Sequence, residues 1–276
     1  MRGRINVPFA RGSRSSGPVR GLGRPGAADV LLDARDITRR FGGLTAVDRV
    51  SLTLKRGAVH AVIGTNGAGK STLINVLSGE IPATAGSVAL LGDDVTHWTQ
   101  PRRARAGLGR TYQRTTIFPR FTVLENCRLA AQAHRQRPCA VWTRADRDDA
   151  TLALAHDAIA RTGLADFGSR IAGGLAHGQK RQLEIAMCVA TAPQVLLLDE
   201  PLAGMGPEET ERMLALLASL REGHAILLVE HDMDAVFRIA DRITVMVDGA
   251  VLASGDPAAV RANVDVQAAY LGEAVA

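Results

Sequence analysis

Polar and apolar positions alternate in short runs over the first third of the chain. Val50-Ser-Leu-Thr-Leu has a period of two, which predicts a half-exposed antiparallel strand. Arg56-Gly57 marks a turn. Residues 60–63 then form a short, mostly apolar run that predicts a buried strand. Leu73, Ile74, Val76 and Leu77 recur at helical spacing, and Gly79 is placed to end that helix. Residues 87–91 predict a further strand, closed by Gly92-Asp93-Asp94. The pattern changes over residues 101–182, which are rich in arginine and alanine and poor in β-branched runs. Helical periodicity over 124–133 and 145–162 predicts a mostly helical insertion there. From Gln182 onward helix alternates with buried strand. Residues 195–198 and 225–229 are unbroken apolar runs, as expected of central parallel strands covered on both faces. Residues 243–247 predict another strand before the turn Asp248-Gly249, and 257–272 one or two short helices. The alternation predicts an α/β fold.

Composition adds little until charge is located. The 276 residues, 46% hydrophobic, suffice for one large α/β domain or two small ones. The net charge of +5 comes from residues 1–28, which hold six arginines and no acid; the remaining 27 basic and 28 acidic side chains nearly cancel. No basic footprint is left to argue for nucleic acid. That Arg-, Gly-, Ser- and Pro-rich start lacks the apolar stretch of a secretory signal and reads as a disordered basic extension. Its composition also suits a mitochondrial-type presequence, although Gly and Pro spoil the amphipathic helix. Cys127, Cys139 and Cys188 show no metal-ligand spacing, which suits a reducing compartment. No apolar run approaches the ~20 residues of a membrane helix.

The chemistry starts after the first buried strand. Gly64, Thr65, Asn66, Gly67, Ala68, Gly69, Lys70 and Ser71 fit G-x-x-x-x-G-K-[S/T] at every fixed position, with Thr72 following. Strand, glycine loop and helix aim backbone N–H groups and a helix N-terminus at a polyphosphate. In that pattern Lys70 reaches the outer phosphates and the Ser71 hydroxyl ligates Mg²⁺. A second half follows in Val195-Leu-Leu-Leu-Asp-Glu-Pro. Asp199 stands just past the end of a buried strand, where a carboxylate can hold Mg²⁺, and Glu200 can activate a water against the γ-phosphate. His231, in Leu228-Val-Glu-His-Asp, can donate to the γ-phosphate, and Gln113 can sense Mg²⁺ or the attacking water. Leu175-Ala-His-Gly-Gln opens another helix, hence a second anion site. One nucleotide has little use for two such helix ends from one chain, but two chains facing head to tail would use both.

In this order the segments resemble an ATP-binding-cassette (ABC) ATPase over about residues 30–273. The resemblance makes 64–71 the Walker A loop and Gln113 the centre of the glutamine loop. Ala176, His177, Gly178 and Gln179 fall in the signature, Asp199 ends Walker B, Glu200 follows it, and His231 is the switch histidine. Phe41, in Arg40-Phe-Gly-Gly-Leu, matches the family's adenine-stacking aromatic; a core phenylalanine is the other reading. The fold implied is a P-loop NTPase, a RecA-like core with an antiparallel β subdomain, plus a helical subdomain at about 114–182 and a tail at about 255–276. The cofactors implied are ATP and Mg²⁺.

Phe41-Gly-Gly-Leu-Thr-Ala-Val, Arg110-Thr-Tyr-Gln with Phe121-Thr-Val-Leu-Glu-Asn, Leu183-Glu-Ile-Ala, Glu200-Pro-Leu-Ala-Gly-Met, Glu230-His-Asp-Met and Ala269-Tyr-Leu-Gly-Glu narrow the resemblance. They are similar to the ATP-binding subunits of branched-chain amino acid importers with the longer C-terminal tail, and to a sister group for urea uptake. Such a subunit would sit peripherally on the cytoplasmic face of the plasma membrane. It would work with transmembrane permease subunits, a second ATPase subunit and, indirectly, an extracytoplasmic substrate-binding protein. Two departures stand out. The usual Leu-Ser-Gly-Gly-Gln becomes Leu-Ala-His-Gly-Gln, so the serine hydroxyl for the partner's γ-phosphate is missing. The expected partner is therefore a different ATPase chain with a full signature. Ala203-Gly-Met-Gly-Pro also stands where the family has Ser-Ala-Leu-Asp, so that aspartate contact is not carried over. Lipid or lipopolysaccharide export by a related ATPase is the nearest rival. ABC proteins acting on nucleic acid fit less well, given one cassette, about a hundred residues between Walker A and signature, and a near-neutral body. No Asn-Lys-x-Asp supports a GTPase.

Overall fold

The computed structural model describes residues 29–113, 116–135 and 148–271. The basic extension, part of the helical insertion, Cys139 and the end of the tail lie outside the described residues. Two sheets carry the fold. Strands β1 (Val30–Phe41), β2 (Leu44–Lys55), β4 (Ala85–Leu90) and β5 (Asp93–Asp94) form an antiparallel sheet in the order β2-β1-β4-β5. The period-two pattern in β2 buries Val50, Leu52 and Leu54 and exposes Ser51 and Thr53. The second sheet has the order β10-β9-β3-β8-β7-β6, from β3 (Val59–Gly64), β6 (Leu108–Arg110), β7 (Val195–Asp199), β8 (Ala225–Val229), β9 (Arg242–Val247) and β10 (Ala250–Gly255). Its strands run parallel except β10, which returns antiparallel along the edge.

Every residue of β3, β7 and β8 is buried, because the parallel sheet is covered on both faces. Val59, Ala61, Ile63, Leu196, Leu198, Ile226 and Leu228 point to one layer. It is filled by α3 (Val123–Arg135), α4 (Asp149–Arg161), α5 (His177–Ala190), α6 (Pro207–Leu220) and α7 (Met233–Ile239). The tail helices α8 (Pro257–Ala262) and α9 (Val264–Leu271) add Val260 and Val266 to the same layer. Val62, Val195, Leu197, Ala225 and Leu227 point the other way, to α1 (Lys70–Ser78) and the antiparallel sheet. Each fully buried Leu or Ile contributes about 1.5–3 kcal/mol, so this alternation fixes which helix lies on which face. Helices α1 and α5 lie on opposite faces of the sheet.

The helical stretch read from residue 101 begins later than the composition suggested. Residues 100–105 do form α2 (Gln100–Arg105), but Leu108–Arg110 is a strand of the main sheet, paired with β7. Three residues flanked by Gly107 carry no readable period; the pairing partner, 87 residues away, makes the strand. Helix α2 delivers Arg103, 2% exposed, to the C-terminus of α1. Its guanidinium donates to the carbonyls of Val76 and Leu77 at 2.9 and 2.7 Å and of Thr96 at 3.0 Å. A cation there satisfies the helix's orphan acceptors and suits the negative end of its dipole; burial pushes the Arg103 pKa down to about 10. No described helix is long and apolar enough to cross a membrane.

Candidate functional site

Parallel strands end at the same edge. The C-terminal ends of β3, β6, β7 and β8 therefore bring four segments together that are far apart in sequence: 64–71, 111–113, 199–200 and 230–231. Their register is fixed by cross-strand bonds, Thr111 N to Leu197 O at 3.0 Å, Glu200 N to Val229 O at 2.9 Å and Glu230 N to Val62 O at 3.3 Å. This edge is where open α/β sheets bind ligands.

The glycine loop is wedged in place by backbone. A Cβ at Gly64 would lie 2.2 Å from Met246 O, and one at Gly69 would lie 2.2 Å from Ala46 O, where φ is also +92°. Only glycine fits either position. Asn66 and Gly67 are exposed at the loop tip, and Ser71 is exposed at the first turn of α1. Lys70 is 7% exposed, and its ammonium donates to the carbonyls of Gly64 at 2.6 Å and Thr65 at 2.8 Å. The charge thus lies along the inside of the loop. Phe41 sits at the β1–β2 hairpin, whose second strand abuts the loop at Ala46. It is 44% exposed, so the core reading of this ring is excluded. The Arg39 guanidinium stacks on one face at 4.4 Å.

Asp199 is the last residue of β7 rather than the residue after it, and is 4% exposed. Burial raises its pKa, opposed by the charge of Arg110 and, to a smaller extent, of Lys70; Glu200 adds to the rise. Its Oδ1 is buried with no hydrogen-bond partner among the described residues, and its Oδ2 lies 3.9 Å from Arg110. Arg110 also donates to Ser78 Oγ and Glu80 Oε2, both at 2.6 Å, and to Asn75 Oδ1. It ties the end of β6 to α1 and to Asp199, a role not read from its place beside Thr111-Tyr112-Gln113. Glu200 is half-buried and holds φ at 49°, in the left-handed region that bulky residues seldom adopt. His231 lies two residues past β8, with its side chain 62% exposed. Gln113 is exposed at the same edge. Arg181 donates to the carbonyls of Tyr112 and Gln113 at 3.3 and 3.1 Å, and Thr116 N donates to Glu184 Oε1 at 3.0 Å. An Arg–Glu pair on α5 therefore brackets the glutamine segment. Sequence reasoning missed both residues, for which spacing gives no signal.

The second helix start is not at this site. Residues 176–179 open α5 on the opposite face of the sheet. Ala176 is the N-cap and has no side-chain acceptor, while Gln179 Oε1 accepts from Ala176 N at 3.0 Å, half of a capping box. His177 is exposed and its ring packs beside Gly204. Gly178 is buried against Glu209, and a cavity of about 300 Å³ lined by Ala176, Gly178, Gln179, Phe167 and Met205 adjoins it.

Residues 47–203 match the family model described as ABC transporter. The chain belongs to this family. Residues 250–276 match a second model, described as branched-chain amino acid ATP-binding cassette transporter. The ABC cassette is 40% identical to the high-affinity branched-chain amino acid transport ATP-binding protein BraF of Pseudomonas aeruginosa. It is 42% identical to the corresponding protein LivG of Escherichia coli, and each match covers 88% of this chain and 98% of the relative. A crystal structure of the ADP conformation of an ATP-binding cassette of an ABC transporter aligns with a TM-score of 0.79 at 29% identity. It covers 88% of this chain and 99% of that one. The fold is that of an ABC ATPase, and the chain is an ATP-binding, ATP-hydrolysing cassette.

Proposed function

We propose that this cassette powers an importer of branched-chain amino acids. The observation that carries this reading is the match of the tail, residues 250–276, to the branched-chain amino acid group, added to full-length similarity with BraF and LivG. Urea import is the second reading, on the sister-group resemblance alone.

The gathering of these residues at one sheet edge supports the following roles. Backbone N–H groups of 64–71 and the start of α1 bind the phosphates, with Thr72 behind them, and Lys70 moves its charge from the loop carbonyls to the outer phosphates. Phe41 stacks on adenine with the face that Arg39 leaves open. Mg²⁺ fits this site, because Asp199 Oδ1 is a buried carboxylate oxygen with no hydrogen-bond partner among the described residues, at the strand end, and Ser71 and Gln113 are exposed on segments that meet the same sheet edge. When bound, the ion neutralises phosphate charge as it builds in the transition state. Glu200 takes a proton from water as the water oxygen bonds to the γ-phosphorus and the bond to ADP breaks. His231 donates to the γ-phosphate.

The signature residues 176–179 serve a second ATPase subunit. Ala176 brings no hydroxyl to that subunit's γ-phosphate, which favours a partner of a different sequence and gives two unequal sites. Phe118 and Phe121, stacked at 5.7 Å and exposed, with exposed Ile171, form an apolar surface beside the glutamine segment. That surface faces permease subunits at the cytoplasmic side of the membrane. An extracytoplasmic binding protein delivers the amino acid, and no nucleic acid takes part.

The test is reconstitution of this chain with its co-purifying subunits in vesicles. ATP-dependent uptake of radiolabelled leucine is expected, and Glu200→Gln is expected to cut uptake and hydrolysis at least about 100-fold with ATP affinity intact. Uptake of urea but not leucine would replace the cargo. Equal turnover in wild type and variant would refute Glu200 as the base.

A further inference from the structure

The carboxylate of Glu230 is buried, 1% exposed, at the centre of the sheet edge, and none of the roles above uses it. An ionised carboxylate in such a place is costly unless its oxygens are bonded. Here both oxygens are bonded. Oε1 accepts from Leu202 N at 2.8 Å, and Oε2 accepts from His231 N at 3.1 Å. The His231 ring nitrogen Nδ1 lies 3.8 Å from Oε2. Leu202 belongs to the turn that Glu200 begins. Glu200 N donates to Val229 O, Ala203 N donates to Glu200 O at 3.2 Å, and Met205 N donates to Leu202 O at 3.2 Å. That turn includes the left-handed backbone at Glu200, a conformation that persists only where neighbouring contacts over-determine it. Burial raises the Glu230 pKa and the two backbone donors lower it, while the Glu200 charge is also felt there.

We propose that Glu230 is a positioning residue for ATP hydrolysis, one carboxylate that fixes the turn of Glu200 and the backbone of His231 against each other. Glutamine at this position keeps the shape but keeps only one oxygen, and turns an NH₂ group toward an N–H donor. Aspartate keeps the charge but, one methylene shorter, reaches only one of the two donors. The base and the γ-phosphate contact then lose their common anchor while the phosphate loop, clamped at Gly64 and Gly69, is untouched. The inference rests on the assignment of Glu200 and His231 above.

The test uses the assembled transporter with Glu230→Gln, Glu230→Asp, Glu200→Gln and the Glu230→Gln/Glu200→Gln pair, and with Glu211→Gln as a surface control. Glu230→Gln and Glu230→Asp are each expected to lower kcat about tenfold or more, with KM for ATP and nucleotide affinity within about twofold. Residues that act as a unit are not additive, so the pair should turn over no more slowly than Glu200→Gln alone. Full kcat in both Glu230 variants, with Glu200→Gln inactive, overturns the proposal alone. So do effects that multiply in the pair, or a kcat loss matched by equal losses of nucleotide affinity and melting temperature. An active Glu200→Gln variant overturns the base assignment and the proposal with it.

Discussion

Helices α1 and α5 both start after glycine-containing loops, and the two starts are built differently. Helix α1 begins in a loop clamped by main chain from β2 and β9, with its lysine folded inside and a buried arginine on its far end. Helix α5 begins in the open, capped by an alanine that offers no acceptor, with His177 exposed. The first lies at the strand ends that gather Asp199, Glu200 and His231. The second, on the other face of the sheet, shares none of the strand ends that gather Asp199, Glu200 and His231. The difference teaches that two helix starts in one chain can be placed where one ligand could not use both.

The largest expected break in that comparison is at Lys70. Lys70→Ala removes a buried charge-assisted donor and should weaken ATP binding to the isolated chain about 10- to 100-fold by calorimetry; unchanged affinity would contradict its role. Asp199→Asn sharpens the comparison from the metal side. Burial raises the Asp199 pKa, so the neutral amide should leave the nucleotide-free protein at least as stable, while the gain in melting temperature from Mg²⁺ with ATP shrinks by several degrees. A marked loss of stability without nucleotide would make Asp199 structural. The smallest effect concerns the strand that carries the first helix start. His60 is buried in β3 against Thr53 O and Thr244 Oγ1, and burial pulls its pKa down to about 4 from 6.5. The unfolded chain then binds a proton that the folded chain refuses between those values. Stability should fall as pH drops from about 6.5 to 4, by at most about 3 kcal/mol. His60→Gln should flatten that part of the curve in chemical denaturation, whereas a slope as steep as wild type would remove His60 as its cause.

Most of the site was legible because its residues need particular backbones. Gly64 and Gly69 sit where no Cβ fits, and β7 and β8 are apolar runs because both their faces are covered. Leu73 to Leu77 reveal α1 by spacing alone. What was not legible depends on residues distant in the chain. β6 exists through its pairing with β7, and the contacts of Arg110, Arg181, Glu184 and Glu230 come from tertiary packing, which the motifs containing three of them do not reveal. The exposure of Phe41 and the separation of α1 from α5 likewise follow from topology, which periodicity does not encode.

The two-start account is tested most directly by His177→Asp, measured three ways. An acid in the first turn suits a helix N-terminus, so the isolated chain should melt no lower than wild type and bind ATP with unchanged affinity. Facing a partner's γ-phosphate, the same charge should repel, and hydrolysis by the assembled transporter should fall at least about tenfold. Loss of ATP affinity in the isolated chain, or full turnover in the assembly, would contradict the claim that α5 opens toward a neighbour's nucleotide.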